Sequence, residues 1–360
     1  MKKLYSVFTG TGSYVPTKRV GNDYFLDYEF YDSTGEKLET PSEEITRKFE
    51  EITTIAERRY AEDDQVTSDL ALIAAQRAIE AAGIDKEDLD YIIFAHNFGE
   101  SRIDNIQVDV VPTLAARLKE KLDISNPSAV AYDVLFGCPG WIQAVIQADY
   151  YIRSGDAKKI LVVGADVLSR ISDPHDRDSM IYADGAGAVI MEGVESDEPV
   201  GVLGHNSRSD AVRYVNMLRM GYSYNPELAE KKNFYLKMNG RRLYQYALEN
   251  VPKLIKAGLD KLKMHISEIG KVLIHQANGK MDDAILARLF KLYNIDKIPE
   301  LIMPMTISWL GNSSVATVPT LLDILVRGGM KEHSIRRGDN LVLASVGAGM
   351  NINSVVYKMA

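Results

Sequence analysis

The sequence predicts an α/β protein built from layered sheets and helices. Strand and helix patterns alternate along most of its 360 residues, and the order of these patterns in the first half recurs in the second. A composition of 46% hydrophobic and 26% charged residues is ordinary for a globular chain. We therefore expect one large domain, or two fused ones, with a sizeable buried core.

The first repeated unit is a helix that leads into an apolar strand. Residues 68–82 have helical periodicity, with Ser68 as the predicted N-cap and Gly83 as the predicted end. The apolar strand 91–94 follows, and His96 lies just beyond it.

The second half repeats this unit in the same order. A helix over 241–257 ends at Gly258, and the strand 271–274 then leads directly to His275. His275 therefore emerges at the C-terminal end of a strand, where α/β proteins commonly build sites.

Another helix-to-strand unit also occurs twice. In the first half the helix begins near Cys138 and the strand is 160–163, whereas in the second the helix begins near Asn312 and the strand is 341–344. A duplicated chain would turn both helix N-termini toward a shared centre, so Cys138 and Asn312 are expected to meet. Because any two βαβ units share right-handed connections and helix-ending glycines, the repeat alone leaves a chance likeness open.

A third match suggests where the chain divides. Gly-Ala-Gly triplets at 185–187 and 347–349 each precede an apolar strand. We predict two halves, 1–196 with the cysteine and 197–360 with the histidine and asparagine. The segment 24–60, rich in charged and aromatic residues, is interpreted as a cap insertion that shapes substrate entry.

The composition argues against several classes of function. A formal net charge of -8, with Lys and Arg interspersed among acids, argues against a nucleic-acid partner. Without an apolar run of about 18 residues or a secretory signal after Met1, we expect a cytoplasmic protein with no membrane span. The single cysteine allows no intrachain disulfide, and neither zinc-ligand spacing nor a complete nucleotide-binding fingerprint occurs, so we expect no metal and no cofactor.

Cys138 is the candidate nucleophile. It lies where a β-prone run over 132–137 meets a helix, and Pro139 suits the first helical turn. Free N–H groups at a helix N-terminus would stabilise a thiolate and lower the pKa of the thiol. Taken singly, Cys138 could be an inert buried residue, His275 a structural one and Asn312 an N-cap.

The three candidate residues lie in three short motifs, Gly137-Cys138-Pro139-Gly140, His275-Gln276-Ala277-Asn278 and Gly311-Asn312-Ser313-Ser314. In their order and spacing, these motifs resemble those of the ketoacyl-acyl-carrier-protein synthase III family, the initiating ketosynthases of the thiolase superfamily. The resemblance covers most of the chain, from Gly10 to the C-terminus.

The resemblance implies a thiolase-like, five-layered αβαβα fold that arose by internal duplication, an obligate homodimer, and an acyltransferase of fatty acid biosynthesis. It implies that Cys138 takes an acyl group from a thioester, after which a malonyl thioester is decarboxylated and condensed with the acyl-Cys. His275 and Asn312 would stabilise the enolate-like charge. The backbone N–H groups of Cys138 and of Ala348 or Gly349 would hold the acyl oxyanion.

The resemblance also implies the substrates and the partner. These are an acyl primer on coenzyme A or on an acyl carrier protein, and malonyl on the carrier. The family's carrier is acidic and docks on a basic patch, to which Lys280 corresponds and which Arg288 and Lys291 could extend along one helix face; an ordinary solvated face is the alternative. Arg177 is similar to a family arginine that contacts the nucleotide of coenzyme A.

Several residues depart from the family pattern. The family's tryptophan and arginine that hold the adenine of coenzyme A have no clear counterparts in the run 49–59, which favours a carrier-bound or unusual primer. Pro139, Trp141 and the loop 347–350 also differ close to the acyl pocket. These departures leave open a condensing enzyme of a secondary lipid or polyketide pathway with a non-acetyl primer, or a non-decarboxylating acyltransferase.

Two other classes of function also fit part of the pattern. A cysteine hydrolase uses Cys, His and Asn as well, but the duplicated α/β pattern argues against it. A non-catalytic subunit of a heterodimer would have no need of all three residues.

Overall fold

The fold is described from a computed structural model that covers residues 2–105 and 107–360. Met1 and Ile106 lie outside the described residues. Both belong to the predicted half 1–196, and Met1 is also the first residue of the N-terminal segment in which we expect no secretory signal. Within the described ranges, no helix is both long enough and apolar enough to cross a membrane.

The described residues form strands and helices in alternation. The strands are β1 (Lys3–Tyr14), β2 (Lys18–Gly21), β3 (Glu57–Tyr60), β4 (Tyr91–Ala95), β5 (Val130–Val134), β6 (Lys159–Val167), β7 (Asp184–Ser196), β8 (Gly201–Ser209), β9 (Leu218–Gly221), β10 (Tyr235–Met238), β11 (Ile269–Ile274), β12 (Asn340–Gly347) and β13 (Asn351–Lys358). The α-helices are α1 (Ser42–Thr53), α2 (Thr67–Ala82), α3 (Leu114–Lys121), α4 (Gly140–Ser154), α5 (Ala211–Tyr214), α6 (Pro226–Ala229), α7 (Gly240–Lys261), α8 (Gly279–Lys291), α9 (Ile307–Leu310) and α10 (Thr317–Val326).

Two mixed sheets carry the architecture. The first has the order β1-β7-β6-β4-β5, with β4 parallel to β5 and β6. The second has the order β11-β12-β13-β8, with β11 parallel to β12. The predicted α/β class is therefore confirmed.

When the strands of each sheet are numbered in chain order, the two sheets have the same strand order, with one exception. The exception is the edge position beside β11, which corresponds to the position of β5 beside β4 in the first sheet. There the described chain forms no strand, although the carbonyl of Ile302 accepts a hydrogen bond from the Val272 N–H at 2.9 Å. This likeness supports an internal duplication, and the boundary at 196/197, which falls between β7 and β8, stays a prediction.

Helices separate and cover the sheets in five layers. The middle layer is α4 and α10, whose buried Trp141, Val145, Leu321 and Leu322 pack between the sheets. Each leucine buried in this way contributes roughly 1.5–3 kcal/mol. Helices α2 and α3 cover the outer face of the first sheet, and α7 and α8 cover that of the second.

Two predicted helix ends are wrong. Ser68 is not an N-cap: α2 begins at Thr67, and the Asp69 carboxylate accepts the Val66 N–H at 2.9 Å, which satisfies a donor before the first turn. Gly258 does not end its helix, because α7 runs on to Lys261. A β-carbon at Gly258 would make only ordinary contacts, at 3.5 Å from the Ser354 hydroxyl oxygen and 3.6 Å from the Asn206 β-carbon, so the helix continues through this glycine facing β13 and β8.

Two other positions also differ from the prediction. The triplet 185–187 lies inside β7 and does not precede it. The helix predicted near Asn312 starts later, as a 3₁₀ turn over Ser314–Ala316 followed by α10.

The predicted cap contains a helix, α1, and a strand, β3. Its C-terminal part belongs to the body of the fold, since Ile55 and Arg58 are fully buried and β3 pairs with β2. The Arg58 guanidinium donates to the backbone oxygens of Val20 and Met180. The cap is thereby tied to two parts of the first half.

Candidate active site

Cys138, His275 and Asn312 line one cavity of about 70 Å³. It adjoins an outer cavity of about 480 Å³ that is also lined by Asn312 and that reaches the cap helix α1 at Phe49. The structure thus brings together three side chains that are widely separated in sequence and come from both predicted halves.

Backbone packing fixes the position of Cys138. Gly137 has φ 69°, and a β-carbon there would lie 2.6 Å from the Ala348 nitrogen. A β-carbon at Gly347 would lie 2.5 Å from the Cys138 nitrogen. Real β-carbons do not approach so closely, so both glycines are required for the loop after β12 to lie against the turn that carries Cys138.

The electrostatics of Cys138 differ from the prediction. Burial, with a smaller effect from the Asp166 charge, raises the pKa of the thiol to about 11, although a hydrogen bond from Ser314 acts in the opposite direction. The side chain has partial access to the cavity yet is surrounded by protein, which disfavours the charged thiolate. The helix N-terminus at Gly140 therefore does not give the unliganded thiol the low pKa expected.

His275 follows β11 as predicted. Its backbone N–H donates to the carbonyl of Ala344 at 2.8 Å, which extends the pairing with β12 by one residue. Burial lowers the pKa of the imidazole to about 4, so the ring is neutral near pH 7. The ring nitrogen Nδ1 is buried and has no hydrogen-bond partner among the described residues.

The next residue holds the histidine loop in place. The Gln276 side-chain oxygen accepts the N–H groups of Thr306 and Ile307, and its nitrogen donates to the carbonyl of Pro304. Gln276 is fully buried, and these bonds satisfy its amide.

The amide of Asn312 is oriented by its own backbone neighbourhood. Its side-chain oxygen accepts the Ser314 N–H at 2.8 Å. The side-chain nitrogen is thereby left as the donor toward the cavity that Asn312 lines. A donor held there suits a carbonyl oxygen that gains negative charge.

Ser314, which the sequence analysis did not single out, contacts the nucleophile. Its hydroxyl oxygen lies 3.4 Å from the Cys138 sulfur and 2.8 Å from the side-chain nitrogen of Asn97. The sequence signal was available in the motif that follows Asn312, but only the fold shows where the hydroxyl points.

The predicted oxyanion donors are partly brought together. Ala348 lines the cavity beside Gly137, whereas the predicted alternative Gly349 does not line it. The N–H groups of Cys138 and Ala348 are therefore the pair whose positions fit the expected role.

The predicted carrier-binding residues occupy two places. Arg177 lines the outer cavity. Lys280, in the first turn of α8, and Arg288 and Lys291, in its last turns, are exposed and line neither this cavity nor the inner one. A rise of about 1.5 Å per residue places Arg288 roughly 12 Å beyond Lys280 along the helix.

Two further basic residues at the outer cavity were missed. Lys48, from cap helix α1, and Arg241, from the start of α7, line it together with Arg177. No sequence motif marks either residue, because they meet only after the cap folds over the mouth.

Comparison with protein families gives a consistent result. Residues 132–211 match the family described as 3-oxoacyl-[acyl-carrier-protein (ACP)] synthase III, and residues 259–359 match its C-terminal domain. The chain is 34% identical over 356 residues to beta-ketoacyl-[acyl-carrier-protein] synthase III 1 of Vibrio parahaemolyticus, covering 99% of this chain and 100% of that protein. The Vibrio vulnificus protein of the same name has the same identity and coverage.

Solved structures show the same architecture. The synthase III of Thermus thermophilus is 30% identical, with a TM-score of 0.80 over 98% of this chain and 99% of that one. The synthase III of Pseudomonas aeruginosa is 26% identical, with a TM-score of 0.79 over 99% and 98% of the two chains. The thiolase-like fold is thus confirmed.

Proposed function

The chain belongs to the 3-oxoacyl-[acyl-carrier-protein] synthase III family, and from that premise we propose that it catalyses the decarboxylative condensation of an acyl thioester primer with a malonyl thioester. It is a condensing enzyme and an acyltransferase. The observation that supports the proposed chemistry is the meeting of Cys138, His275 and Asn312 in one cavity.

The first half-reaction transfers the acyl group to Cys138. The thiol loses its proton and the sulfur attacks the carbonyl carbon of the primer thioester. The tetrahedral oxyanion is held by the N–H groups of Cys138 and Ala348, and its collapse expels the donor thiol, which takes up a proton. The product is an acyl-Cys138 thioester.

The second half-reaction forms the carbon–carbon bond. The malonyl carboxylate leaves as carbon dioxide, and its electron pair passes into an enolate whose oxygen accepts hydrogen bonds from His275 and Asn312. The carbanion carbon then attacks the acyl carbonyl, and the Cys138 thiolate leaves and regains a proton. A neutral His275 is suited to donate without removing the charge that it stabilises.

The substrates, partner and assembly follow from the same proposal. The primer arrives on coenzyme A or on acyl carrier protein, and malonyl arrives on the carrier, with Arg177 at the mouth and the α8 patch of Lys280, Arg288 and Lys291 as docking groups. We further propose a cytoplasmic homodimer. Exposed apolar side chains at the edge strand β5 support that assembly.

Intact-mass measurement tests the proposed nucleophile. The purified protein is incubated with acyl-coenzyme A and acyl-carrier donors, and wild type is compared with Cys138→Ala. Because Cys138 is the only cysteine, a single acyl adduct that the variant lacks would identify the attachment point. Absence of an adduct from every donor, on folded protein, would contradict the proposal.

A second measurement tests the reaction type. Release of one carbon dioxide per condensed product is expected from a malonyl donor, and His275→Ala should abolish it while leaving the acyl adduct on Cys138. Product formed without carbon dioxide release would instead support a non-decarboxylating acyltransferase.

A further inference from the structure

A chain of polar side chains lies behind the candidate nucleophile. It starts at Asp166 on β6, passes through Asn97 and Ser314, and ends at the Cys138 sulfur. Asp166 and Ser314 are almost fully buried, with exposed fractions of 1% and 4%. Hydrogen bonds in such surroundings are strong and costly to leave unmade, so their directions are well determined.

The carboxylate sets the direction of the first bond. One Asp166 oxygen accepts the backbone N–H of Asn97 at 2.8 Å, and the other contacts the Asn97 side-chain nitrogen at 2.7 Å. Burial raises the pKa of Asp166 to about 6, so the group is mostly ionised above pH 7, and an ionised carboxylate only accepts hydrogen bonds. The Asn97 amide must therefore turn its NH₂ group toward Asp166.

The second bond continues in the same direction. The same amide nitrogen lies 2.8 Å from the Ser314 hydroxyl oxygen and uses its remaining hydrogen there. Since that oxygen accepts from Asn97, its own hydrogen is available to the Cys138 sulfur, 3.4 Å away, with the Asp166 carboxylate as the competing acceptor.

The backbone of Ser314 is unusual for a serine. Its φ is 53°, in the left-handed region that residues other than glycine rarely adopt. The Asn312 side chain, which accepts the Ser314 N–H, helps to hold it there. Backbone strain of this kind persists where the surroundings require it, and here it places a hydroxyl against the reacting sulfur.

We propose that Ser314 is a further catalytic residue, whose hydroxyl donates a hydrogen bond to the Cys138 sulfur as it becomes a thiolate, and that Asn97 and Asp166 are positioning residues that fix the direction of this bond. The inference rests on the proposed function, in which Cys138 is the nucleophile. Ser314 gives up no proton: the thiol proton leaves with the donor thiol or to solvent.

Among the described residues, the other titratable groups around the sulfur give it no positive charge. Asp166 on β6 raises the pKa of the thiol, and Tyr182, whose own pKa is raised by burial, stays neutral near pH 7. His275 at the end of β11 is neutral there as well, because burial lowers its pKa to about 4. The Ser314 hydroxyl is thus the side chain that favours the thiolate.

The test is the rate at which iodoacetamide alkylates Cys138 between pH 7 and pH 9, followed by intact mass. We expect Ser314→Ala to react about tenfold more slowly at each pH, the size that loss of a hydrogen bond to a charged group would give. Ser314→Gly should show the same slowing as Ser314→Ala. Because glycine tolerates the left-handed backbone of this position, Ser314→Gly keeps the test valid if Ser314→Ala does not fold.

Two comparisons make the result specific. Ser313→Ala is the matched control, because the neighbouring hydroxyl faces Thr317 at 3.4 Å and should leave alkylation unchanged. Asn97→Ala should slow the reaction in wild type but have little further effect in Ser314→Gly, since Asn97 acts through Ser314. The proposal would be overturned if both Ser314 variants were alkylated at the wild-type rate, or if the effects of the Asn97 and Ser314 substitutions on that rate were additive.

The outcome is independent of whether the chain condenses acyl groups. Alkylation requires no substrate, so a lost acyl adduct with an intact Ser314 effect would refute the proposed function alone.

Discussion

At the scale of single residues, the space around Cys138 depends on the missing side chain of Gly347. A β-carbon at this position would lie 2.5 Å from the Cys138 nitrogen and 2.9 Å from its β-carbon. Neither contact can relax by rotating a side chain, because one partner is backbone and the other is attached to it. The donor pair formed by the Cys138 and Ala348 N–H groups is therefore sensitive to any widening of this gap.

We expect Gly347→Ala to slow acylation of Cys138 at least tenfold and to lower the free energy of unfolding by about 1–3 kcal/mol, the usual cost of overpacking. Adduct formation and urea unfolding measure the two effects. Gly270→Ala in β11 is the matched control, since its β-carbon would make only ordinary contacts at 3.7 Å or more. Wild-type acylation by Gly347→Ala would show that the two loops do not need this close approach.

His275 provides a test of the cavity's electrostatics. Its pKa of about 4 in the folded protein lies below the usual value near 6.5, so the unfolded chain binds a proton that the folded chain rejects. The resulting stability is present above about pH 6.5 and is lost as the pH falls toward 4. Between pH 7 and pH 5 the loss is about 2 kcal/mol.

In His275→Gln this contribution to pH dependence is expected to disappear. The measurement is the free energy of unfolding at pH 7 and pH 5, compared with wild type. His265→Gln, at an exposed histidine, serves as the control. Equal acid destabilisation in wild type and His275→Gln would mean that the imidazole is not held in its neutral form.

At the scale of secondary-structure elements, the two groups of basic residues have different expected roles. Arg177 lines the outer cavity, which adjoins the cavity of Cys138, whereas Lys280, Arg288 and Lys291 follow one exposed face of α8. A substrate on coenzyme A would meet only the first group. A carrier protein would meet both.

The triple variant Lys280→Glu, Arg288→Glu, Lys291→Glu is therefore expected to raise KM about tenfold for carrier-bound substrates and to leave KM for coenzyme A donors within twofold. Arg177→Glu should raise KM for both, and the carrier effect should weaken as salt screens the charges. Steady-state kinetics at two ionic strengths would measure this. If the triple variant changed KM for neither kind of substrate, the α8 face would be an ordinary solvated surface.

Local patterns were sufficient to predict several elements, and tertiary contacts explain the misses. Strands β4, β6, β11 and β12 were predicted because their apolar runs are buried on both faces. The end of α7 was missed because Gly258 resembles a helix-ending glycine locally, whereas in the fold it lies within the helix, facing β13 and β8. A single sequence shows the glycine but not its neighbour.

The candidate site divides in the same way. Cys138, His275 and Asn312 could be predicted because each begins or ends an element with a recognisable motif. The raised pKa of Cys138 could not, because it arises from burial among residues of both halves. The position of Lys48 at the cavity could not be predicted either, since it reaches the cavity only because α1 packs there.

At the scale of the whole molecule, an exposed apolar surface on the first half indicates how two chains would assemble. Strand β5 is the outermost strand of its sheet, and Val130 at its start and Leu135 just past its end are exposed. Val110 and Val111, in the loop that follows the cavity residue Phe98, are exposed too. An unpaired sheet edge with apolar side chains is a surface that proteins usually cover.

We therefore expect light scattering after gel filtration to give twice the chain mass of 40.1 kDa at micromolar concentration. The double variant Val130→Lys, Leu135→Lys should shift the protein to monomer, because it places like charges where β5 would meet its copy. Acylation of Cys138 should fall with it, since Phe98 lines the cavity and precedes the exposed Val110 and Val111 in the same segment of the chain. Val212→Glu, at a fully exposed valine far along the chain, should change neither property. A monomeric wild type would contradict the proposed homodimer, and a double variant that stays dimeric would move the assembly to another face.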